Sequence, residues 1–472
     1  RGESIAAALF KAGVRTLSYS VKYKRPRGIH CARGRCVMCH MSVNGVPGVP
    51  TCITPLEEGM RVEREEYRPF FAPLLISAAR LFPFKAGFYN RFFNRPQWVR
   101  NFFVQSLRKM AGVGRIRADR PAPTPRPSGP APVAGRYDVV VVGAGLSGMS
   151  AALSAAESFG AAGTNARDHR VLLVDEYGVP GGHSIGFQPD SIRAERERLS
   201  AAVRKHPSIT HQPNTTAVGF FPPDTLLIGP GGCTGFDPSP GPDAGSDRSG
   251  AGTGGGMTRV RARAFVFATG AYDVTPLFRN NDTPGIFGPR AIRLLLERDG
   301  LRPGAAAVVY GTGDTLRRTV ELLAHHGIQL VHLVDPAAAG PTGPPDAAPT
   351  NTTGPPVARG ARVTSARGKE WITGVIITGG GTSKKTLRCD LLCTAFTGQG
   401  AYELPYQAGI EYHLSGAEAD ENRVLVPRTA LLDTGEVTIV LAGETAGHTV
   451  DPAGKIADGA EAGKQAAAAA GA

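Results

Sequence analysis

The chain has 472 residues, of which 42% are hydrophobic, enough to build the cores of two to four domains. No run of 18 uncharged apolar residues occurs, so no membrane-spanning helix is expected. The formal charge of +13 is concentrated in residues 1–120, which contain 22 Lys or Arg but 7 Asp or Glu. A surface this basic suits nucleic acid, anionic lipid or an acidic protein. Because no nucleic-acid-binding motif accompanies the charge, we expect no nucleic acid partner, and we rank a protein partner before a membrane surface.

Four of the seven cysteines lie close together in a predicted first domain, residues 1–66. They form a C-x4-C-x2-C-x12-C array made of Cys31, Cys36, Cys39 and Cys52. Thiolates are soft ligands, and four at this spacing suit a [2Fe-2S] cluster. A zinc site is the first alternative, although zinc more often uses two C-x2-C pairs, and free thiols are the second. A helix is predicted over Ser4–Ala12, and a turn at Asn44-Gly45 is expected to return the chain to Cys52.

Residues 67–135 are predicted to connect this domain to the rest of the chain. The segment 67–117 alternates aromatic and basic residues, and Pro121–Pro132 reads PAPTPRPSGPAP, a Pro-rich linker. We expect the aromatic and basic segment to pack on the following domain or on a partner subunit. Association with a membrane surface is the alternative, because Phe, Trp and Arg also suit that interface.

A G-x-G-x-x-G fingerprint follows the apolar strand Tyr137–Val142 and precedes a predicted helix. In such a fingerprint Gly143 permits the tight turn, Gly145 lets a pyrophosphate approach the backbone, and Gly148 lets the helix pack closely on the strand. The pattern therefore predicts a bound dinucleotide in a parallel α/β fold.

The next predicted strand ends in Asp175 and Glu176, which can hydrogen-bond a ribose. Asp175 is our preferred ribose ligand and Glu176 the alternative. Three segments rich in small or polar residues are interpreted as an insertion or surface loops: 158–170, 229–256 and 336–360.

Three further motifs, Gly181-Gly182, Ala268-Thr269-Gly270 and Ala442-Gly443-Glu444, resemble those of the glutathione-reductase-like flavoproteins, which contain two dinucleotide-binding domains. The resemblance implies that these residues contact a flavin nucleotide, with Glu444 replacing the Asp of that group. It predicts an FAD-binding domain over 136–275 and 396–472, with NAD or another adenine nucleotide as the less favoured ligand. The expected cofactor-binding residues are Gly143, Ala144, Gly145, Gly148, Asp175, Glu176, Gly181, Gly182, Thr269, Gly270, Gly443 and Glu444.

A second fingerprint begins at Gly311, but Leu316 stands where the third Gly belongs. A bulky Leu is expected to push the helix from the strand and to spoil close pyrophosphate packing. Residues 276–395 are therefore predicted to form an NAD-like domain that binds its nucleotide poorly.

A redox-active disulfide is not expected beside the flavin site. The segment after Gly181-Gly182 contains His183 and no Cys, while Cys389 and Cys393 flank an apolar run and are predicted to be buried strand residues. His183 is interpreted as a loop or core residue, with a position near a flavin as the alternative.

Three segments extend the resemblance to nearly the whole chain: Val21–Gly28 (VKYKRPRG), Ala268–Tyr272 (ATGAY) and Asn280–Gly285 (NNDTPG). They resemble the α-subunit family of heteromeric sarcosine oxidase, which includes dye-linked proline dehydrogenase, opine oxidase and hydrogen cyanide synthase. The four-Cys array is similar to the plant-type ferredoxin pattern and to the cyanide synthase and opine oxidase branch. The resemblance implies an α/β protein, in which a ferredoxin-like [2Fe-2S] β-grasp domain precedes a glutathione-reductase-like Rossmann fold.

The resemblance also implies a function. We expect an electron-transfer subunit that relays electrons from a partner, an FAD-dependent amine or amino-acid oxidase-type subunit. A small additional subunit is a further possible partner, and FMN at the subunit interface is a further possible cofactor. Folate chemistry is not expected. The alternatives are a self-contained NAD(P)H:acceptor reductase or a structural nucleotide-binding subunit. No residue resembles a catalytic acid, base or nucleophile, and the expected location is cytoplasmic, with a peripheral position on the inner membrane as the alternative.

Overall fold

A computed structural model of the chain describes residues 3–20, 25–64, 97–98, 101, 135–161, 170–185, 190–230, 257–337, 354–415, 423–447 and 451–471. The predicted connector and Pro-rich linker, residues 67–135, lie almost entirely outside these ranges. So do most of the predicted loops at 229–256 and 336–360. These assignments, and the domain boundaries that depend on them, stay predictions.

The N-terminal unit, residues 3–64, combines one helix with two small antiparallel sheets. Its elements are α1 (Ile5–Lys11), β1 (Ser18–Tyr19), β2 (Pro26–Arg27), β3 (His40–Val43), β4 (Val46–Pro50) and β5 (Val62–Glu63). Strand β3 pairs with β4 and β5, and β1 pairs with β2. Asn44 and Gly45 have φ values of 52° and 81°, so the β3–β4 hairpin closes through the expected tight turn. Ser4 caps α1 by accepting a hydrogen bond from the backbone N–H of Ala7 at 3.2 Å.

The rest of the described chain contains a mixed eight-stranded sheet, a parallel five-stranded sheet, an antiparallel three-stranded sheet and two antiparallel strand pairs. The helices are α2 (Leu146–Ala161), α3 (Asp190–Lys205), α4 (Pro289–Arg293), α5 (Gly313–His325), α6 (Glu403–Gln407) and α7 (Pro452–Ala469). The strands are β6 (Gly135–Val142), β7 (Val171–Val174), β8 (Ile209–Gln212), β9 (Thr215–Phe221), β10 (Thr225–Pro230), β11 (Thr258–Phe267), β12 (Ala271–Tyr272), β13 (Ile286–Phe287), β14 (Ala306–Gly311), β15 (Gln329–Asp335), β16 (Val357–Arg359), β17 (Ala361–Gly368), β18 (Ile372–Gly379), β19 (Thr382–Arg388), β20 (Leu391–Ala395), β21 (Gln399–Gly400), β22 (Tyr412–Leu414), β23 (Leu425–Pro427), β24 (Leu431–Asp433) and β25 (Thr438–Leu441). Within the described ranges, no helix has the length and apolar character needed to cross a bilayer.

The first nucleotide-binding fold is built on the sheet order β24-β25-β11-β6-β7-β8. Strands β25, β11, β6, β7 and β8 run parallel, and β9 and β10 extend the sheet antiparallel from β11. All four residues of β7 and of β25 are buried, as expected for strands covered on both faces. Because β6 turns directly into α2, the fingerprint lies at the carboxyl edge of this sheet, where nucleotides bind in such folds.

The second nucleotide-binding fold has the all-parallel order β13-β20-β14-β15-β16. The antiparallel sheet β17-β18-β19 packs against it. Cys393 lies in β20 and is fully buried, as predicted. Cys389 is also buried, but it follows the end of β19 and does not belong to a strand.

The N-terminal unit shares a hydrophobic core with the second nucleotide-binding fold. Phe10 and Ile29 are buried in the same cluster as Phe287. The ring of Phe10 meets Trp371 edge to face at 5.9 Å, and the guanidinium of Arg15 lies 3.5 Å from the centroid of the Phe10 ring. The unit is therefore joined to the flavoprotein-like part through apolar packing as well as through the chain.

Candidate cluster loop and dinucleotide cavity

The cysteine loop between β2 and β3 turns through three residues with positive φ. These are Ala32 at 52°, Gly34 at 75° and Val37 at 53°. The φ of Gly34 favours glycine, and a Cβ there would also lie 2.5 Å from the Cδ1 of the Ile53 side chain. The turns of this loop bring its cysteines close to Cys52, which lies beyond the β3–β4 hairpin.

The four thiols converge at this loop. The thiol of Cys31 makes hydrogen-bonding contact with those of Cys36 and Cys52, and Cys39 makes such a contact with Cys52. Cys52 also accepts the N–H of Gly34 at 3.2 Å. In the described part of the chain, no group of three or more His, Cys, Asp or Glu side chains would hold a metal ion as it stands.

The donor set suits a [2Fe-2S] cluster nonetheless. Four Cys sulfurs are the usual ligands, and backbone N–H groups directed at sulfur stabilise the thiolate form. The N–H of Gly34 is directed at Cys52, and the N–H of Arg33 lies 3.4 Å from the Sγ of Cys31. The residues present therefore fit the predicted group.

The cluster loop is also anchored from the second nucleotide-binding fold, which the sequence did not indicate. Arg298 donates from Nη1 to the carbonyl oxygen of Ala32 at 3.1 Å and forms a buried ion pair with Asp299 at 2.8 Å. His30 contacts the carbonyl oxygen of Ile286 at 3.3 Å. These contacts attach the cluster loop of the N-terminal unit to the second nucleotide-binding fold.

A cavity of about 320 Å³ opens at the carboxyl edge of the first sheet. At its floor Gly143 has φ +103°, and a Cβ there would lie 2.3 Å from the carbonyl oxygen of Ala268. A Cβ on Gly148 would lie 1.7 Å from the carbonyl oxygen of Gly143, whereas one on Gly145 would meet nothing within 4 Å. The open space at Gly145 is where a pyrophosphate would approach the backbone. Gly143 and Gly148 lie where backbone segments pack too closely for a side chain.

Ten of the twelve predicted cofactor-binding residues line this cavity: Gly143, Gly145, Asp175, Glu176, Gly181, Gly182, Thr269, Gly270, Gly443 and Glu444. Ala144 and Gly148 lie behind the loop and do not line it. The N–H of Gly181 donates to the carbonyl oxygen of Ala144 at 2.7 Å, which joins the Gly181-Gly182 segment to the fingerprint loop. Tertiary folding therefore brings four separated motifs to one cavity, and cofactor binding by each of these residues stays a prediction.

The structure argues against the preference for Asp175 as the ribose ligand. Its buried carboxylate accepts hydrogen bonds from the backbone N–H groups of Ala144 at 2.5 Å and Tyr177 at 2.8 Å. Burial raises the pKa of Asp175 to about 6, against the lowering effect of these two donors. The side chain thus braces the fingerprint loop. Glu176, the alternative, keeps a partly exposed carboxylate at the cavity wall and meets Arg35 at 2.6 Å.

Glu444 is the centre of a buried charged network at the other end of the cavity. Its carboxylate lies 2.6 Å from Nη2 of Arg290, 2.6 Å from Nδ1 of His183 and 3.5 Å from Nζ of Lys455. Arg290 is held in turn by Asp273 at 2.9 Å. His183 therefore lines the cavity, as its alternative interpretation from the sequence allowed.

The charges of this network follow from burial and pairing. Burial lowers the pKa of His183 to about 3, and the charge of Arg33 adds to this effect, so the imidazole is neutral at pH 7. Burial alone would raise the pKa of Glu444, but its partners, including His183 and Arg290, outweigh that effect and hold the pKa well below the usual range. A neutral imidazole thus donates from Nδ1 to an ionised carboxylate.

A smaller cavity of about 140 Å³ adjoins the first and extends to the second nucleotide-binding fold. Arg33, His183, Glu444 and Lys455 line both cavities. In the first turn of α5, Asp314 pairs with Arg318 at 2.6 Å and places a carboxylate where a phosphate would approach. Leu316 packs on the core shared with the N-terminal unit. Both features agree with poor nucleotide binding, which stays a prediction.

The comparisons with known proteins address the N-terminal unit and the whole chain separately. Residues 1–67 match the family described as 2Fe-2S iron-sulfur cluster binding domain. The sarcosine oxidase α-subunit of Rhizobium meliloti is 29% identical over 353 residues, 71% of this chain and 33% of the relative. An opine oxidase subunit from the same organism is 26% identical over 206 residues, 43% of this chain and 40% of the relative. The chain thus spans about a third of the length of the sarcosine oxidase α-subunit.

Among solved structures, L-proline dehydrogenase from P. horikoshii has a TM-score of 0.59 at 18% identity. The match covers 98% of this chain and 69% of the other. At that identity the likeness concerns the fold alone, and it agrees with the predicted order of a small N-terminal unit followed by two nucleotide-binding folds. The chain is therefore similar to the sarcosine oxidase α-subunits and to the opine oxidase subunit, and its N-terminal residues match a [2Fe-2S] domain.

Proposed function

We propose that the chain is the electron-transfer subunit of a heteromeric amino-acid or secondary-amine dehydrogenase or oxidase. The observation that carries this proposal is the contact between the cluster loop and the dinucleotide cavity, since Arg33 and Arg35 of that loop line the cavity wall. A one-electron carrier beside a dinucleotide site suits electron relay. The names of both curated relatives describe subunits, which are parts of larger assemblies.

FAD is the dinucleotide that we propose for the larger cavity. Gly145 leaves room for the pyrophosphate, and the N-terminus of α2 directs its backbone N–H groups there. Glu176 is the proposed ribose ligand, in place of Asp175. When bound, a flavin supplies two-electron chemistry and a [2Fe-2S] cluster one-electron chemistry. NAD and an interface FMN are not needed by this proposal.

Substrate oxidation is assigned to a partner flavoprotein subunit. Two carboxylates along the cavity are paired, Glu444 with Arg290 and His183, and Glu176 with Arg35. A carboxylate with a pKa held far below neutrality is a poor proton acceptor. The chain's own residues therefore bind and orient cofactors in this proposal, and they abstract no proton from an amine.

The two alternative functions are less well supported. A self-contained NAD(P)H:acceptor reductase needs a working second nucleotide site, and Leu316 and Asp314 disfavour one. A purely structural subunit would have no need of four converging thiols. Rapid bleaching of the flavin by NADH in the isolated chain would favour the reductase over our proposal.

The test compares the isolated chain with its native complex, both purified anaerobically. We expect the isolated chain to contain iron, inorganic sulfide and flavin, and to give a rhombic EPR signal after dithionite. We also expect it not to oxidise sarcosine, proline or glycine, whereas the complex oxidises one such amine.

A cluster-free variant, Cys36→Ser, then separates relay from assembly. In the complex, substrate should still reduce the partner's flavin, but transfer to an external acceptor should be lost. Cys389→Ser is the control, because this buried thiol lies in the second nucleotide-binding fold. Full turnover by the isolated chain would contradict the proposal, and unchanged turnover in a Cys36→Ser complex would favour a structural role.

A further inference from the structure

The cluster loop contributes two arginines to the nucleotide cavity. Nη2 of Arg35 lies 2.6 Å from Oε1 of Glu176, at the end of β7. The guanidinium of Arg33 lies 5.4 Å from the centroid of the Tyr177 ring. Both arginines line the cavity together with Glu176 and Tyr177. One wall of the cavity therefore comes from the N-terminal unit.

Glu176 stands where the second strand of a dinucleotide-binding fold presents an acid to the adenosine ribose. The neighbouring Asp175 is less suited to this role, because its buried carboxylate already accepts two backbone N–H groups. An unrestrained Glu side chain samples many rotamers, and ordering it on ligand binding costs free energy. The guanidinium of Arg35 reduces that cost by holding one carboxylate oxygen of Glu176.

We propose that Arg35 is a positioning residue that directs Glu176 toward the hydroxyls of an adenosine ribose. The iron–sulfur unit thus completes the adenosine end of the nucleotide site. This inference rests on the proposed function, which places a dinucleotide in this cavity. The ligand class is an adenosine nucleotide with a free 2′-hydroxyl, since a 2′-phosphate would approach the carboxylate of Glu176 with like charge.

The same loop links nucleotide binding to the cluster. Gly34, which lies between Arg33 and Arg35, donates its N–H to the Sγ of Cys52. Hydrogen bonds to the ligand sulfurs tune the reduction potential of an iron–sulfur cluster. Since Arg35 adjoins Gly34, a shift of Arg35 on ligand binding would alter the hydrogen bond from Gly34 to Cys52. Coupling between two sites is reciprocal. If bound nucleotide raises the affinity of the chain for its cluster by some factor, loss of the cluster should lower the affinity for nucleotide by the same factor.

The experiment uses the full chain with its cluster, freed of nucleotide in potassium bromide and assayed for retained iron and sulfide. Calorimetry then measures the binding of ADP and of adenosine 2′,5′-bisphosphate. We expect Arg35→Ala to weaken ADP binding by up to about fivefold, because the exposed Arg35–Glu176 pair contributes only by ordering Glu176. Arg35→Lys should recover part of that loss. Wild type should prefer ADP to the 2′-phosphorylated probe.

Arg25→Ala is the matched control. Arg25 pairs with Asp282 at 3.0 Å, also between the N-terminal unit and the second part of the chain, with side chains 47% and 26% exposed. The Arg35–Glu176 side chains are 47% and 27% exposed. Because Arg25 does not line the cavity, its loss should leave ADP binding unchanged.

A spectroscopic readout distinguishes positioning from general stabilisation. ADP should change the EPR signal of the reduced cluster in wild type and in Arg25→Ala, but not in Arg35→Ala. If wild type binds ADP and Arg35→Ala binds it within twofold as tightly, the inference is wrong while the proposed nucleotide site stands. If cluster-loaded wild type binds neither probe, the proposed function and the inference both fail.

Discussion

The carboxyl group of Asp175 lies at the end of β7, where a ribose ligand is expected, yet it faces the fingerprint loop. It accepts the N–H groups of Ala144 and Tyr177 and is buried. Its neighbour Glu176 points to the cavity and meets Arg35. Successive residues beyond a strand end point in different directions, so one of two adjacent acids braces the fingerprint loop and the other faces the cavity.

The pKa of Asp175 gives a prediction at this scale. In the folded chain burial raises this pKa to about 6, above the value of about 3.9 in unfolded chains. The folded state therefore binds this proton more tightly, and the group stabilises the fold fully below about pH 4. That contribution is lost as the pH rises through about 6.

Asp175→Asn removes this titration and keeps an amide oxygen as acceptor. Relative to this variant, the free energy of unfolding of wild type should fall by about 2 to 3 kcal/mol between pH 4 and pH 7. Urea unfolding at several pH values measures the difference. A difference that stays constant over this range would show that Asp175 does not titrate as described.

Helices α7 and α2 pack closely on one another. A Cβ on Gly459 would lie 2.1 Å from the carbonyl oxygen of Ser147, and one on Gly463 would lie 2.2 Å from that of Ala151. The C-terminal helix therefore packs backbone to backbone on the helix that follows the fingerprint. Since α2 also carries Gly148 against the fingerprint loop, the two helices together fix the floor of the cavity.

We predict that Gly463→Ala separates these two helices. The added methyl group has no space against the backbone of α2, and overpacking of this kind costs about 1 to 3 kcal/mol in unfolding free energy. Lys464→Ala, on the exposed side of α7, should change that free energy by less than about 0.5 kcal/mol. Denaturant unfolding and the flavin content of the purified proteins measure both effects. Equal stability of the two variants would mean that the helices can move apart freely.

In the whole molecule, the N-terminal unit is held from two sides. It shares an apolar core with the second nucleotide-binding fold through Phe10, and its cluster loop meets the first fold through the Arg35–Glu176 pair. Arg298 anchors the cluster loop to the second fold. Apolar burial gives the attachment its strength, whereas an exposed ion pair adds about 1 kcal/mol or less.

This arrangement predicts that the two parts unfold together. Phe10→Ala should lower the free energy of unfolding by about 3 to 5 kcal/mol, since it opens a cavity beside Trp371. The visible absorption of the cluster and the fluorescence of Trp371 should be lost in one shared transition in wild type. Exposed Leu56→Ala in the same unit is the control and should have little effect. Separate transitions in wild type would contradict a shared core.

The sequence predicted the elements whose signals are local. The hairpin around Asn44-Gly45, the helix predicted over Ser4–Ala12 and the strand that ends at the fingerprint all appear close to their predicted positions. The four Cys residues were selected as candidate cluster ligands by their spacing, and that assignment stays a prediction. The local predictions held because a turn or a helix start is specified by neighbouring residues.

The sequence alone determined that a cysteine array precedes two nucleotide-binding patterns, because the order and spacing of these residues are read directly from it. Three features emerged from the folded molecule instead: Arg35 meets Glu176, Glu444 pairs with His183 and Arg290, and Asp175 turns inward. These pairs join residues more than 100 positions apart, apart from the contact of Asp175 with Ala144. No local preference specifies such partners, since they depend on how the sheets, helices and cluster loop pack against one another.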